Sequence, residues 1–454
     1  MAPKFGTSGL RGLVTELTAD LVADHIRAFA AACPMGTGLW VGRDLRASSP
    51  DLAAVVIGAA QGLGLAVTDC GAVPTPALAL AAMRAGAAAV MVTGSHIPAD
   101  RNGLKFYTPE GEITKAHEAA ILAALGAPAP PGRPGPAVAL APTVGADWGA
   151  RYVTAFGAGA LSGLRLGVWA HSAVSRDLLA QALRDLGAET ISMGRLETFL
   201  PVDTEAVSAQ SRADLAAWAP GLDAILSTDG DGDRPLLADG TGAVIPGDIL
   251  GQITAAALGA EVVVTPVSSN TGAEASRAFA QVIRTKIGSP FVIAAMEAAG
   301  GRVVGYEANG GFLLGFDAQG PAGPLPALMT RDSLLPLVAV LAEARKVGGL
   351  PALLARQPAR FTAADRLEHT PPEATGPLLD RLIAGPDPLL LAISETEAAR
   401  DLTDGLRLIL ASGRVLHLRP SGNAPEFRIY AEAESAAAAA GLLARARGWL
   451  ATQF

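Results

Sequence analysis

The chain has 454 residues, a formal net charge of −8, and a composition that is 50% hydrophobic. This length exceeds what one hydrophobic core usually organises and predicts about three or four domains. The acidic balance argues against a nucleic-acid-binding surface, and no apolar stretch is long enough to suggest a membrane span. Cys33 and Cys70 are too few for a disulfide framework and suit a reducing compartment. We therefore expect a cytoplasmic protein that contacts neither nucleic acid nor membrane.

The first part of the chain predicts alternating strands and helices. Strand-like residues 39–42 lead into an Ala/Val-rich helix at about 51–62, and a further strand is predicted at 66–68. After a second helix, residues 87–92 form an apolar run with the length and composition of a buried strand. Strands that alternate with helices at this spacing indicate a mainly parallel sheet.

The loop after residues 87–92 is the strongest candidate for chemistry. It leaves the carboxyl end of a predicted strand, where open α/β sheets bind their ligands, and it carries Ser95 and His96, with Lys105 beyond them. A serine hydroxyl reacts poorly unless a base removes its proton or it already carries a transferable group. Neighbouring side chains of an extended chain point to opposite faces, so we expect no Ser95–His96 dyad. Activation must then come from elsewhere in the chain.

The proline-rich residues 127–136 form a stiff connector and are the clearest candidate for a domain boundary. Beyond them the strand–helix pattern starts again twice. The C-terminal part has a different order of elements: antiparallel strands are predicted, followed by an Ala-rich closing helix from about Ser435. We predict three α/β domains with mainly parallel mixed sheets and a C-terminal α+β domain. The predicted domains are residues 1–136, 137–246, 247–356 and 357–454.

Asp229, Asp231 and Asp233 alternate with glycines directly after a predicted strand. Three converging carboxylates repel one another unless a hard cation neutralises them, and an all-oxygen ligand set favours Mg²⁺ or Ca²⁺. An exposed acidic turn is the alternative. An EF-hand is excluded, because its sixth and twelfth positions would be Arg234 and Gly240. A haloacid-dehalogenase-type phosphatase is a weaker alternative, because its aspartate motif normally stands early in its domain.

Two later loops carry groups that suit a sugar phosphate. Residues 419–428 combine arginines, a serine, an asparagine and a glycine, which can hold a phosphate dianion, although a solvated turn has the same composition. Glu307 and Asn309 alternate on a glycine-bounded turn and could hydrogen-bond sugar hydroxyls, although an ordinary hairpin turn would look alike. Lys286 is a single loop lysine, a type of residue that is usually only solvated. Together with the serine and acidic loops, these features predict an interdomain cleft for a sugar phosphate.

These four loops, in this order, resemble those of the α-D-phosphohexomutase family over nearly the whole chain. Residues 93–98 are similar to its phosphoserine loop, 229–234 to its metal loop, 305–311 to its sugar-binding loop and 419–428 to its phosphate-binding loop. The resemblance implies a four-domain, heart-shaped protein whose serine, Ser95, rests phosphorylated. In the implied reaction, phosphoserine phosphorylates one end of a hexose phosphate. The resulting 1,6-bisphosphate turns end for end and returns its other phosphate to the serine.

The resemblance also implies a role for each candidate residue. Mg²⁺ is the implied cofactor, a hexose 1,6-bisphosphate the activator, and a hexose phosphate the substrate. Lys105 is favoured over His96 as the proton carrier. The implied catalytic residues are Ser95, His96, Lys105, Arg11 and Arg234; the metal ligands are Ser95, Asp229, Asp231 and Asp233; the substrate-binding residues are Lys286, Glu307, Asn309, Arg419, Ser421, Gly422, Asn423 and Arg428.

Some residues depart from the common family pattern. Ile97 stands where Asn is common, Asn309 where Ser is common, and Asn423-Ala424 where Thr-Glu is common. This combination is most like the bacterial phosphomannomutase branch, so we expect interconversion of mannose 6-phosphate and mannose 1-phosphate by a monomer or homodimer. Four alternatives stay open: a phosphoglucomutase, a dual-specificity enzyme, a phosphoglucosamine mutase and a catalytically silent sugar-phosphate-binding protein.

Overall fold

The computed structural model describes residues 3–6, 9–127, 135–420 and 426–454. These residues form three mixed sheets with flanking helices, a small two-stranded ribbon and an antiparallel sheet at the C-terminal end. This arrangement confirms the predicted fold class of three α/β units followed by an α+β unit. Within the described ranges, no helix combines the length and the hydropathy needed to cross a membrane.

The first sheet has eight strands. Its elements are β1 (Lys4–Phe5), β2 (Leu10–Leu13), α1 (Ala19–Ala32), β3 (Leu39–Arg43), α2 (Ser49–Gly62), β4 (Val67–Ala72), α3 (Thr75–Arg84), β5 (Ala88–Val92), β6 (Arg101–Thr108), β7 (Gly111–Glu112), α4 (Lys115–Ala123) and β8 (Ala139–Leu140). The strand order is β1-β2-β6-β5-β3-β4-β8, with β7 beside β6. β5 is buried along its whole length, as expected of a central strand covered on both faces.

The second and third sheets have five strands each. The unit built on the second sheet contains the helices and strands α5 (Val144–Phe156), β9 (Arg165–Trp169), α6 (Arg176–Asp185), β10 (Glu189–Met193), α7 (Ala209–Trp218), β11 (Ala224–Thr228), β12 (Pro235–Asp239) and β13 (Val244–Ile245). The third and the ribbon follow with α8 (Gly247–Ala257), β14 (Val262–Pro266), α9 (Gly272–Ser276), β15 (Gln281–Thr285), α10 (Ser289–Ala299), β16 (Val303–Tyr306), β17 (Phe312–Leu314), β18 (Ala318–Gln319), β19 (Pro324–Leu325), β20 (Leu328–Asp332), α11 (Leu334–Val347) and α12 (Leu350–Leu354).

The three mixed sheets repeat one topology. Each contains three parallel strands followed by an antiparallel fourth, in the spatial orders β4-β3-β5-β6, β10-β9-β11-β12 and β15-β14-β16-β17. In each repeat the connection between the third and fourth strands carries a candidate loop, with Ser95 in the first, Asp229 in the second and Glu307 in the third. The repeat therefore places the three loops at equivalent edges of their sheets.

The fourth sheet is antiparallel, with the order β21-β25-β24-β23-β22. The predicted closing helix is confirmed, and Ser435 caps it by accepting a hydrogen bond from the Ala438 amide at 3.2 Å. The elements of this unit are β21 (Phe361–Glu368), α13 (Pro372–Ala384), α14 (Asp387–Ile393), β22 (Glu397–Asp401), β23 (Leu406–Leu410), β24 (Val415–Pro420), β25 (Glu426–Ala433) and α15 (Ala436–Ala451).

The core beside the first sheet shows how the sequence period positions a helix. Val22, Ile26 and Phe29 follow the helical spacing of α1, and all three are fully buried. The Phe29 ring meets that of Phe106 on β6, with 5.0 Å between the centroids. Because β6 also carries Lys105, this packing helps to fix the strand that presents the lysine.

We expect Phe29→Ala to lower the free energy of unfolding of the N-terminal unit by about 3–5 kcal/mol, because it opens a cavity in a closed core. Leu122→Ala on α4 is the matched control. Its side chain is 46% exposed, so the change should stay within about 0.5 kcal/mol. Urea denaturation followed by fluorescence measures both; equal losses in the two variants would contradict this view of the core.

Candidate active site

The acidic loop after β11 is a closed cluster. Asp229, Asp231 and Asp233 are each 0% exposed and offer carboxylate oxygens that lie within 4.8 Å of one another. Gly232 has φ +75°, and a Cβ at Gly230 would lie 2.7 Å from the Ser95 carbonyl oxygen, so the glycines let the loop curl against the serine loop. The alternative of an exposed acidic turn is wrong.

Cations from other parts of the chain surround the three carboxylates. Lys105 Nζ lies 2.5 Å from Asp231 Oδ2 and 2.6 Å from Asp233 Oδ2, and Arg331 Nη2 lies 3.0 Å from Asp233 Oδ2. Burial alone would raise the pKa of Asp233, but Arg331 and Lys105 outweigh it and hold the pKa well below its usual range. Burial and the two neighbouring carboxylates raise the pKa of Asp229 well above its usual range.

The cluster fits a divalent cation. Asp231 Oδ1 and Asp233 Oδ1 are buried and have no hydrogen-bond partner among the residues that the structure describes. Thr75 Oγ1 donates to Asp231 Oδ2 at 2.6 Å and orients that carboxylate. Unpaired buried carboxylate oxygens are costly, and a hard cation with oxygen ligands would satisfy them.

Ser95 lies at the edge of the acidic cluster. Its side chain is fully buried, and its Oγ donates a hydrogen bond to Asp229 Oδ2 at 2.7 Å. Its Oγ also lies 3.2 Å from His96 Nδ1, so the expectation that these neighbours point apart is wrong. The reason is local: Ser95 has φ +53°, in the left-handed region, rather than an extended backbone. Burial, with Arg234 and Arg11 nearby, holds the pKa of His96 well below its usual value, so the imidazole is neutral at neutral pH.

Arg46, which the sequence analysis did not select, holds the serine loop. It is 1% exposed, forms a salt bridge with Asp44 at 3.2 Å, and lies over the Phe199 ring at 4.0 Å. Arg46 follows β3 at the sheet edge where the Ser95 loop also begins. This position at a strand end is the feature of the sequence that could have identified it as a site residue. Its guanidinium donates to the carbonyl oxygens of Ser95 (2.9 Å), Ile97 (2.6 Å), Pro98 (2.7 Å) and Arg101 (3.0 Å).

Arg331, also absent from the sequence candidates, connects the acidic loop to the predicted sugar-binding loop. Besides its contact with Asp233, its Nη1 lies 3.4 Å from Glu307 Oε2, and it is 2% exposed. Glu307 and Asn309 are both buried at the loop between β16 and β17. Asn309 Oδ1 accepts a hydrogen bond from the Gly311 amide at 3.0 Å, so its side-chain oxygen is used to shape the turn.

The remaining candidates occupy the surroundings of this centre. Arg11, His96 and Arg428 line a cleft of about 530 Å³. Burial and repulsion by Arg234 and Arg331 lower the pKa of Arg11 to about 10. Two candidates, Arg419 and Lys286, lie near the Asp404 carboxylate. Asp404 Oδ1 is 3.4 Å from Arg419 Nε. Asp404 Oδ2 accepts a hydrogen bond at 3.1 Å from the backbone amide of Ile287, which follows the exposed Lys286. Ser421, Gly422 and Asn423 lie outside the described residues.

Behind the acidic loop, His171 supports the end of β11. Its Nε2–H donates to the Thr228 carbonyl oxygen at 3.0 Å, and its side chain is fully buried. Its Nδ1 has no partner within the described parts of the chain. Burial lowers the pKa of His171 to about 4, so the folded protein holds it neutral.

Models of one protein family match three parts of the chain. The domain I model of phosphoglucomutase/phosphomannomutase matches residues 2–129, the domain III model residues 239–361 and the C-terminal domain model residues 386–448. Phosphomannomutase of Sinorhizobium fredii is 44% identical and covers 98% of both chains. Phosphomannomutase of Salmonella muenchen is 40% identical over 95% of this chain and 92% of its own.

Solved structures share the fold at lower identity. A phosphoglucomutase/phosphomannomutase family protein from Burkholderia thailandensis has a TM-score of 0.75 at 22% identity, covering 98% of this chain and 96% of its own. The open form of pp63/parafusin from Paramecium has a TM-score of 0.73 at 14% identity, covering 100% of this chain and 95% of its own. These likenesses agree with the sheet topology described above.

We expect Arg46→Met to loosen the serine loop without unfolding the protein. Each lost charge-assisted hydrogen bond contributes about 1.5–3 kcal/mol, so amide hydrogen exchange at Ser95, Ile97 and Arg101 should accelerate by about tenfold or more. Arg345→Met is the control, because Arg345 also donates to two carbonyl oxygens but lies on the exposed side of α11. Unchanged exchange in Arg46→Met would contradict the anchoring role.

We expect His171 to make the protein acid-sensitive. An unfolded histidine takes up a proton below about pH 6.5, whereas folded His171 resists protonation until about pH 4. The unfolded state therefore binds more protons in this window, and stability should fall with decreasing pH by up to about 1.4 kcal/mol per pH unit. Denaturant titrations at several pH values should show a shallower decline for His171→Gln; equal slopes would contradict the assignment.

Proposed function

Because the chain belongs to the phosphoglucomutase/phosphomannomutase family, we propose that it is a Mg²⁺-dependent phosphomannomutase that interconverts mannose 6-phosphate and mannose 1-phosphate. The observation that carries this proposal is the buried Ser95 hydroxyl, 2.7 Å from Asp229 at the edge of a three-carboxylate cluster. The names and identities of the two phosphomannomutase relatives support mannose as the sugar. A hexose 1,6-bisphosphate is the proposed activator that first phosphorylates the serine.

The proposed step transfers a phosphoryl group between Ser95 and a sugar oxygen. The bond between phosphorus and Ser95 Oγ breaks while a bond to the sugar oxygen forms. Lys105 is the proposed proton carrier: it passes one of its own protons to Asp231, whose Oδ2 it contacts at 2.5 Å, as it accepts the proton of the sugar hydroxyl. The released Ser95 Oγ takes up one proton in turn, so the transfer leaves the number of protons unchanged. His96 contacts Oγ and is proposed to orient it. Bound Mg²⁺, held by Asp229, Asp231, Asp233 and the Ser95 phosphate, would supply charge neutralisation to this transfer.

The other candidate residues are proposed to bind and orient the substrate. Arg11 and Arg234 would flank the phosphate on the serine. Glu307 and Asn309 would hydrogen-bond sugar hydroxyls, and the ion pair between Arg331 and Glu307 would orient that carboxylate. The phosphate that does not react would be held by Lys286, Arg419, Ser421, Gly422, Asn423 and Arg428.

We also propose the domain boundaries, the cellular location and the assembly state. The domain boundaries near residues 136, 246 and 356 are supported by the three repeated sheets, although β8 joins the first sheet from residues just beyond 136. A cytoplasmic location is supported by Cys33 and Cys70, which are both free and buried. A monomer or homodimer is the proposed assembly.

The function is tested by ³¹P NMR with Mg²⁺ and a trace of hexose 1,6-bisphosphate. We expect a 1-phosphate signal to appear faster from mannose 6-phosphate than from glucose 6-phosphate or glucosamine 6-phosphate. A preference for either of those sugars would instead assign a phosphoglucomutase or a phosphoglucosamine mutase. Equal rates for mannose and glucose would indicate dual specificity.

The serine role is tested in the same assay with Ser95→Ala, which removes the phosphoryl acceptor and should lower turnover by about 10⁴-fold or more. Ser192→Ala, at an exposed position on β10, is the matched control and should match the parent. Full activity of a folded Ser95→Ala protein would refute the serine mechanism. No conversion of any sugar by the parent protein would favour a silent binding protein.

A further inference from the structure

The connecting segment between β10 and α7, residues 194–208, lies outside the four candidate loops but borders the proposed active site. Its Phe199 ring lies under the Arg46 guanidinium, with 4.0 Å between Arg46 Cζ and the ring centroid. A Cβ at Gly230 would lie 2.7 Å from the same ring. The connecting segment therefore packs against the arginine that holds the serine loop and against the acidic loop.

The later part of the connecting segment reaches the cleft and the sugar-binding loop. Residues 201–203 and 206–208 line the cleft of about 530 Å³ described above. Between them, Thr204 is 7% exposed, and its Oγ1 donates a hydrogen bond to the Asn309 carbonyl oxygen at 2.8 Å. The two residues are 105 positions apart. The hydrogen bond therefore joins the second unit to the sugar-binding loop of the third.

Thr204 is presented from a fixed backbone. Val202 and Val207, on either side of it, are 4% and 8% exposed and belong to the apolar core of the second unit. Asp203 Oδ1 accepts a hydrogen bond from the Glu205 amide at 3.0 Å, which closes a turn around Thr204. Because this backbone is anchored on both sides, the Thr204 hydroxyl has a defined position.

The Asn309 turn is shaped by a small number of contacts. The Gly310 amide donates to the Glu307 carbonyl oxygen at 2.9 Å, and the Gly311 amide donates to Asn309 Oδ1 at 3.0 Å. A Cβ at Gly310 would lie 2.7 Å from Pro235, so the turn packs closely against the second unit. Since Oδ1 accepts within the turn, the Asn309 side chain offers a ligand chiefly its Nδ2–H donors.

The peptide group between Asn309 and Gly310 needs an external partner to fix its direction. Gly310 has φ +89°, and glycine accepts positive and negative φ almost equally well, so this peptide group can rotate. A donor on the Asn309 carbonyl oxygen selects one orientation. The direction of the Asn309 side chain follows that of its backbone, so the same hydrogen bond sets where the Nδ2–H donors lie.

We propose that Thr204 is a positioning residue for sugar recognition. Its hydroxyl fixes the Asn309 peptide and thereby the geometry in which Asn309 and Glu307 meet the sugar hydroxyls. Mannose and glucose differ at one hydroxyl, and specificity is a difference of two affinities, so a displaced donor changes the preference between them. This inference rests on the proposed function and adds a residue of the second unit to substrate selection.

The first experiment measures binding in the Ser95→Ala protein, in which the serine cannot exchange a phosphoryl group. In calorimetric titrations with Mg²⁺ present, adding Thr204→Val should weaken mannose 6-phosphate by about 3- to 10-fold, as the loss of one hydrogen bond predicts. The affinities for mannose 6-phosphate and glucose 6-phosphate should become more alike. Inorganic phosphate should bind as before, because the turn is proposed to contact sugar hydroxyls. Thr204→Ser keeps the hydroxyl and should restore the original affinities.

Thr37→Val is the matched control. Thr37 Oγ1 also donates to a distant carbonyl oxygen, that of Ala85, at 2.9 Å, but it precedes β3 at the end of the first sheet opposite the serine loop. Its replacement should change no affinity. Unchanged binding of mannose 6-phosphate in Thr204→Val would overturn the proposal, as would an equal loss of inorganic phosphate binding.

The second experiment follows amide hydrogen exchange in the ligand-free full-length protein. The Gly310 and Gly311 amides should exchange about 3- to 10-fold faster in Thr204→Val than in the parent, and Thr204→Ser should match the parent. Thr204→Ala removes the same hydroxyl without placing a methyl group against the carbonyl oxygen, so it replaces Thr204→Val if that variant does not fold. Equal exchange with and without the hydroxyl would overturn the proposal.

The two experiments separate this inference from the proposed function. Hydrogen exchange uses neither substrate nor turnover, so equal exchange would refute the role of Thr204 and leave the mutase reaction standing. Absence of any mannose 6-phosphate binding before Thr204 is changed would instead overturn both the proposed function and the role in sugar recognition.

Discussion

The structure depends on the burial of three carboxylates within one small volume. Two unit charges 4 Å apart repel by about 4 kcal/mol at the effective dielectric of a protein site, so the cluster requires compensation. Lys105 from the first sheet and Arg331 from the third reach the carboxylates of the second. The same contacts therefore neutralise the cluster and join three units around it. In the proposed reaction, a bound divalent cation would add positive charge to this cluster, and a phosphoryl group on Ser95 would add negative charge beside it.

The repeated sheet topology explains why these groups meet. Each mixed sheet turns from its third, parallel strand into an antiparallel fourth strand, and each of these turns carries a different part of the proposed site. Residues just outside the turns then fix their shapes. Arg46 gathers the carbonyl oxygens of the serine loop, Ser333 Oγ donates to the Gly232 carbonyl oxygen at 2.7 Å, and Arg331 links the acidic and sugar-binding loops.

The buried strands and the acidic loop were predicted from the sequence, because both depend on local patterns of residues. Apolar runs such as 87–92 predicted buried strands, and the Asp-Gly alternation predicted a cage, because strand burial and glycine-bounded loops depend on neighbouring residues. Arg46 and Arg331 were missed, because the serine-loop carbonyl oxygens that Arg46 binds and the two carboxylates that Arg331 contacts lie more than twenty residues away, and only the fold brings them close. The Ser95–His96 contact was also missed, because it depends on a positive φ that a serine rarely adopts. The predicted phosphate-binding residues 421–423 lie outside the described chain.

Ser95, held beside the acidic cluster, is the residue that we propose carries the phosphoryl group. A direct test is to incubate the purified protein with Mg²⁺ and a hexose 1,6-bisphosphate and then to measure intact mass and peptide masses. We expect a gain of one phosphoryl group, located on Ser95 and absent from Ser95→Ala. A protein that gains no phosphoryl group, or gains it on a different residue, would refute this role of Ser95.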